Sequence, residues 1–146
     1  MYHYLESGLR NIWLRNGYKE ESTPYGSIVA IENVRGLHQA IGLQLTAKPA
    51  RFSGTEIRFL RKELELSQQS LGELLGVSAQ SVAAWEKSKG RITSPSDRLL
   101  RILVSESYKG NVKVRQLIDC LNQRDIEIHA KKMVFSDTNS GWQYAA

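Results

Sequence analysis

The sequence predicts an α+β fold: an all-α, five-helix-like module, flanked by a small N-terminal α/β segment and by a C-terminal helix with a β-hairpin. Three observations predict it. Residues 54–101 carry apolar side chains at helical spacing with Ser, Gly and Pro at the breaks. Residues 1–49 mix short alternating runs with turn pairs and one helix-period stretch. Residues 109–146 pass from a helical period to alternating residues around a second turn. The chain divides accordingly into 1–49, 50–108 and 109–146.

The central module is read from residues 67–88, SQQSLGELLGVSAQSVAAWEKS. Ser67 is an N-cap residue, whose hydroxyl takes a free amide at a helix start. Leu71, Leu74 and Leu75 follow at i, i+3 and i+4. Gly76 can end that helix in the left-handed conformation, Val77 fills the corner, and Ser78 caps again. Val82 and Trp85 share the inner face of the second helix; Ala83 and Ala84 favour helix. Two short helices joined by a turn of about three or four residues have the spacing of a helix-turn-helix. Ile57, Leu60, Leu64 and Leu66 mark a preceding helix, opened by residues 53–56. Pro95, Ser96 and Asp97 open a following one that contains Leu99, Leu100, Ile102 and Leu103.

Residues 60–90 resemble the lambda repressor/Cro-like (XRE) helix-turn-helix family. The Ser67-Gln68 pair, Leu71, the Leu75-Gly76-Val77-Ser78 corner, Val82 and Trp85-Glu86-Lys87 match in order. The resemblance implies binding of double-stranded operator DNA by a dimer. The first helix would cross the backbone, and the start of the second would enter the major groove. It implies Gln68 as a phosphate contact and a brace for the next helix. Ser78, Gln80 and Ser81 stand at the start of the reading helix. Gln80 is the expected base reader, since Gln pairs bidentately with adenine, and Ser81 is its neighbour. Gln69 and Ala79 belong to the same set. Ala84 stands where the family often has Arg or Lys, so the expectation there is either a close approach that touches a thymine methyl or a specificity that rests more on Gln80 and on DNA shape. Lys87, Lys89 and Arg91 suit phosphates. Trp85 is expected in the core, and Glu86 is expected to pair with Arg61.

Charge supports this reading. The chain is +5 at neutral pH, with nine basic and six acidic residues in 50–101, against five and four before it and six and five after it. The basic excess lies mostly on the module already suspected. The apolar content of 41% and charged content of 24% are those of a globular protein, and no apolar run reaches membrane-spanning length. A single cysteine, Cys120, excludes an internal disulfide and a cysteine-based zinc site. A reducing cytoplasm is the expected setting.

In the N-terminal segment, residues 11–14 read as a strand, Asn16-Gly17 as a hairpin turn with a return from Tyr18, and residues 23–26 as a second turn. Ile28, Val29 and Ile31 read as a further strand. Leu37, Ile41 and Leu45 read as a helix face. Residues 48–52 read as a hinge around Pro49. His3, Glu6 and His38 invite a metal site, but two histidines without a cysteine cluster are read as surface polar groups. Trp13, Tyr18 and Tyr25 could line a small-molecule pocket; the simpler reading is a local core. No catalytic constellation or phosphate-cradling loop is present, so no enzyme and no cofactor is expected.

A second resemblance covers more of the chain. Strand–turn–strand, then GLHQAIGLQL, then LTAKPARFSGTEIRFLRKELELSQ is similar to the MqsA/YgiT-type antitoxin-regulators. These carry a small N-terminal domain ahead of an XRE-like module. The implied alternative is an antitoxin that binds a toxin, or another small protein, through residues 1–49 and represses its own operon. The paired cysteines that hold zinc in that family are missing here, so no metal is implied.

At the C-terminus, Val114, Leu117, Ile118 and Leu121 predict an amphipathic helix, with Gln116, Asp119, Asn122 and Gln123 outward. Ile126, Ile128 and Ala130 alternate as a strand. Met133, Val134 and Phe135, a turn over 137–141, and Trp142 and Tyr144 predict a hairpin with Phe135 near Trp142. The hairpin and the helix before it are expected to form the dimer.

Overall fold

A computed structural model describes residues 1–123 and 132–145. Among these residues six helices lie between antiparallel strand pairs at the two ends. Strand β1 (Tyr2–His3) pairs with β2 (Trp13–Leu14), with Tyr2 opposite Leu14 and His3 opposite Trp13. The strand expected over 11–14 therefore pairs back to the N-terminus and not across Asn16-Gly17. Gly17 does turn the chain, at φ +79, but its carbonyl accepts the Glu32 amide at 2.8 Å. That bond closes the base of a separate hairpin, β3 (Tyr18–Thr23) against β4 (Gly26–Ile31). Thr23 holds its tip: Oγ1 donates to the Gly26 carbonyl at 2.6 Å and accepts the Tyr25 amide.

Helix α1 (Val34–Ala47) starts at Asn33, whose side chain accepts the Gly36 amide, and buries Ile41 and Leu45, with Leu37 partly covered. Helix α2 (Gly54–Glu63) opens on a reciprocal capping box. Ser53 accepts the Glu56 amide, and Glu56 accepts the Ser53 amide at 2.8 Å. Helices α3 (Gln68–Leu75) and α4 (Ala79–Glu86) pack on each other, α4 also packs on α2, and α5 (Ser94–Tyr108) lies along α1. Helix α6 (Val112–Gln123) contacts α3 and α5. Among the described residues the largest fully buried side chains are Ile57, Leu60, Leu64, Leu71, Val82, Ile92, Leu100, Val104 and Ile118. Tyr4, Leu9, Leu14, Ile41 and Leu45 belong to the same cluster, so the N-terminal segment and the helical module share one core.

The segment read as a hinge is fastened. Arg101 donates to the carbonyls of Thr46, Lys48 and Ala50, pairs with Asp97 at 2.8 Å, and lies over the Phe52 ring at 4.3 Å. Asp97 also accepts the Phe52 amide, and Phe52 is buried. On α5, Leu100 and Leu103 face the core while Leu99 and Ile102 are exposed. On α6, Ile118 is buried but Leu117 is half exposed at 49%, so the apolar stripe there is narrower than its spacing suggests.

The C-terminal hairpin pairs β5 (Phe135–Thr138) with β6 (Gly141–Tyr144). Its turn is only Asn139-Ser140, shorter than the 137–141 expected, and this shifts the register. Phe135 stands opposite Tyr144, not Trp142, and Trp142 stands opposite Asp137. The strand expected at Ile126, Ile128 and Ala130 lies outside the described residues.

Candidate nucleic-acid interface

The corner between α3 and α4 is built as the sequence requires. Ser67 accepts the Ser70 amide at 3.0 Å, and Ser78 accepts the Ser81 amide at 3.1 Å. Gly76 ends α3 at φ +74, which costs a residue with a Cβ roughly 1 kcal/mol or more. At Gly72 a Cβ would lie 2.6 Å from the Val77 carbonyl oxygen, so a glycine lets the turn fold back onto α3. Leu71 and Val82 are fully buried and Trp85 nearly so, which fixes the roll of α4.

Glu86 locks this arrangement. Arg61 grips its carboxylate with two nitrogens, Nε at 2.7 Å and Nη2 at 3.0 Å, and donates a third bond to the Leu66 carbonyl. The expected Arg61–Glu86 pair is formed, and it ties α2 and the α2–α3 connection to α4. Gln68 donates to the same carboxylate at 3.4 Å, so it braces α4. Glu86 and Arg61 side chains are 5% and 14% exposed, so the bonds are sheltered from water.

With Val82 and Trp85 inward, the opposite face of α4 is set by its 3.6-residue period. Gln80, Ala83, Ala84 and Lys87 lie on it at i, i+3, i+4 and i+7. Gln80 and Lys87 are exposed and the two alanines are half-buried, giving a low centre between two longer side chains. Ser78 is exposed at the head of the helix, next to half-buried Ala79. The Ser81 hydroxyl is 3.0 Å from that of Ser78, within the cap. Gln69 is exposed beside Gln68 at the start of α3. Lys89 and Arg91 are exposed in the loop after α4.

Arg51 joins these cations, though its sequence position suggested a hinge. Its Nη1 donates to the Ile92 carbonyl at 3.0 Å. With Ser88, Lys89 and Arg91 it lines an open groove of about 560 Å³ in which no acidic residue takes part. The only signal in the sequence is a basic residue just before a helix start.

The other candidates do not converge. His3 bonds the Arg10 carbonyl and stacks on Trp13 at 4.0 Å. Glu6 accepts the Tyr2 hydroxyl; that bond pushes Tyr2 up to about 12 and holds Glu6 below the usual carboxylate range. His38 lies 2.7 Å from the Tyr4 hydroxyl and 3.4 Å from Glu63, which in turn accepts the Tyr108 hydroxyl at 2.8 Å. Burial, and then that carboxylate, push Tyr108 up. Among the described residues no group of three His, Cys, Asp or Glu side chains could hold a metal ion. Trp13, Tyr18 and Tyr25 line no common pocket: Trp13 stacks on His3, Tyr18 tilts against Tyr2, and Tyr25 is wholly exposed.

Residues 57–105 match the helix-turn-helix family. This segment is an XRE-type helix-turn-helix domain. The domain covers α2 to α5 apart from their outermost residues, about a third of the chain, and it supports DNA binding and a role in regulating transcription. The match leaves the N-terminal segment and the C-terminal hairpin outside it. No curated protein and no solved structure gives a significant match to the chain. Among the described residues no helix is long and apolar enough to cross a membrane.

Proposed function

We propose that the protein is a dimeric, sequence-specific repressor that reads the major groove of its operator with α4. One observation carries this reading: the face of α4 opposite Val82 and Trp85 presents Gln80, Ala84 and Lys87 together. Gln80 reads a base edge, and the alanines allow close approach. Gln68, Gln69, Ser78 and Ser81 position the two helix starts. Lys87, Lys89 and Arg91 hold phosphates. Two such readers related by a two-fold axis match a palindromic site.

Gln80→Ala is expected to weaken operator binding by about 1–3 kcal/mol, roughly 5- to 150-fold, while binding to unrelated DNA stays unchanged. Gel shifts of the protein on its own upstream region, with and without the substitution, measure this. Equal affinity of the two proteins for the operator would remove Gln80 as a reader.

The cations give a different signature. Replacing Lys87, Lys89 or Arg91 by Gln is expected to weaken binding to every sequence alike. Each replacement should flatten the dependence of log affinity on log salt by about 0.9 for each phosphate no longer neutralised. A slope unchanged in all three variants would place these side chains away from the DNA.

An antitoxin reading is favoured by the N-terminal segment, which leaves Trp13, Tyr25 and Ile28 exposed at 56%, 100% and 56%. Such side chains suit a protein partner. Co-expression with the product of a neighbouring short reading frame tests it; a growth-inhibiting product left active in the presence of this protein would exclude it.

A further inference from the structure

The stretch that joins α1 to α2 lies ahead of the matched residues 57–105, and it carries Arg51. Both chain neighbours of Arg51 are fixed from α5. Arg101 donates to the Ala50 carbonyl, and Asp97 accepts the Phe52 amide at 2.9 Å. The backbone at Arg51 is therefore held without help from its own side chain. That side chain crosses to the loop after α4, where Nη1 donates to the carbonyl of buried Ile92 at 3.0 Å. A guanidinium has five N–H donors in one plane. Ile92 is the one acceptor of Arg51 among the described residues, so the rest of the fork is open to a second. The side chain is aimed before that acceptor arrives, which lowers the entropy cost of binding it.

The groove beside it points to the kind of acceptor. Arg51, Lys89 and Arg91 bring three cations to it, and no carboxylate lines it. The acids of the flanking elements are engaged inside the fold. Glu56 binds Lys48 and the Ser53 amide, Glu86 binds Arg61 and Gln68, and Asp97 binds Arg101 and the Phe52 amide. Three like charges without a counter-charge repel one another, and a polyanion relieves that repulsion. The groove also lies where a DNA strand would pass. Gly54 packs against the carbonyls of Trp85 and Glu86, so the start of α2 sits beside the last turn of α4. Lys87, on the outer face of α4, leads directly into Ser88 and Lys89 of the groove. Helix α4 has eight residues and is about 12 Å long, roughly the width of the major groove. With Ser78 and Gln80 over bases at one end, the other end reaches the phosphates along the groove's edge.

We infer that Arg51 is a DNA-backbone contact supplied from outside the helix-turn-helix domain, holding a phosphate between itself and the Lys89–Arg91 loop. The inference rests on the DNA-binding reading and adds a contact that the domain alone lacks. A phosphate contact sets affinity and register and leaves base choice unchanged.

The test is fluorescence anisotropy of the full-length protein across a range of salt, on its own upstream region and on an unrelated duplex. Arg51→Gln should weaken both complexes alike, roughly fivefold near 0.15 M salt, and flatten the slope of log affinity against log salt by about 0.9. Arg51→Lys keeps the charge and should keep the wild-type slope. Arg35→Gln removes the same charge from a groove at the far end of α2, lined also by Lys62 and Glu65, and should leave both affinity and slope unchanged. An Arg51→Gln protein with the wild-type slope, even if it binds more weakly, would make the bond to Ile92 the whole role of Arg51 and overturn the inference. So would an equal change of slope in Arg35→Gln, which would reduce the effect to net charge. Either result leaves the DNA-binding reading standing, whereas a wild type that binds neither duplex would remove that reading and this contact with it.

Discussion

Glu86→Ala is expected to lower the stability of the fold by about 3–5 kcal/mol, measured as the free energy of urea unfolding. The carboxylate is 5% exposed and takes two bonds from Arg61 and one from Gln68. Removing it leaves a guanidinium, 14% exposed, with the Leu66 carbonyl as its remaining acceptor. An unpaired charge held out of water costs far more than the net gain of forming the pair, and that asymmetry drives the prediction. It follows that removing both charges costs less than removing one. Arg61→Met combined with Glu86→Leu should recover most of the loss, because two apolar side chains of similar length leave no charge to desolvate. A double variant as unstable as Glu86→Ala would show that the geometry of the pair, and not the orphaned charge, dominates.

The helix-turn-helix was legible because its determinants are local. Ser67, Gly76 and Ser78 lie within a few residues of the groups they cap, and Leu71, Val82 and Trp85 repeat at the helical period. Arg61–Glu86 spans 25 residues, yet it was still within reach, because the resemblance fixed the neighbouring helices first. What could not be read depends on contacts between distant stretches or on backbone states that the residue type does not advertise. Arg101 fastens carbonyls 51 to 55 residues earlier in the chain, so residues 48–52 looked like a hinge. Residues 11–14 have strand character, but nothing local chooses between a partner at Tyr2-His3 and one beyond Gly17. The turns after α2 and α4 are closed by Glu65 at φ +58 and Ser88 at φ +59, left-handed positions where a glycine would have been the signal. In each turn the amide of the following residue bonds back five residues, Leu66 to Arg61 and Lys89 to Ala84. Those bonds hold the conformation that the side chain disfavours. In the C-terminal hairpin a turn two residues long, where five were expected, set Trp142 opposite Asp137 and Tyr144 opposite Phe135.

The same dependence on distant contacts gives the second large effect. Gly54→Ala is expected to destabilise the protein by about 3 kcal/mol, at the upper end for a small-to-large change. Gly54 opens α2 directly beneath the last turn of α4. A methyl group there would lie 2.6 Å from the Glu86 carbonyl oxygen and closer still to that of Trp85. Backbone carbonyls inside a helix cannot rotate away as a flexible side chain can, so α2 and α4 must separate. That shift would loosen Trp85 and stretch the Arg61–Glu86 pair. Gly76→Ala is the control. Its φ of +74 makes a side chain unfavourable, but nothing lies within 4 Å, so the cost should be only about 1–2 kcal/mol. Thermal melting ranks the two variants. DNA binding then separates their consequences at a temperature where both are folded. Gly54→Ala should lose operator selectivity, because the tilt of α4 is disturbed at its anchored end, whereas Gly76→Ala should retain it. If Gly54→Ala melted with the wild type, the close approach of α2 to α4 would not be what sets the orientation of the reading helix.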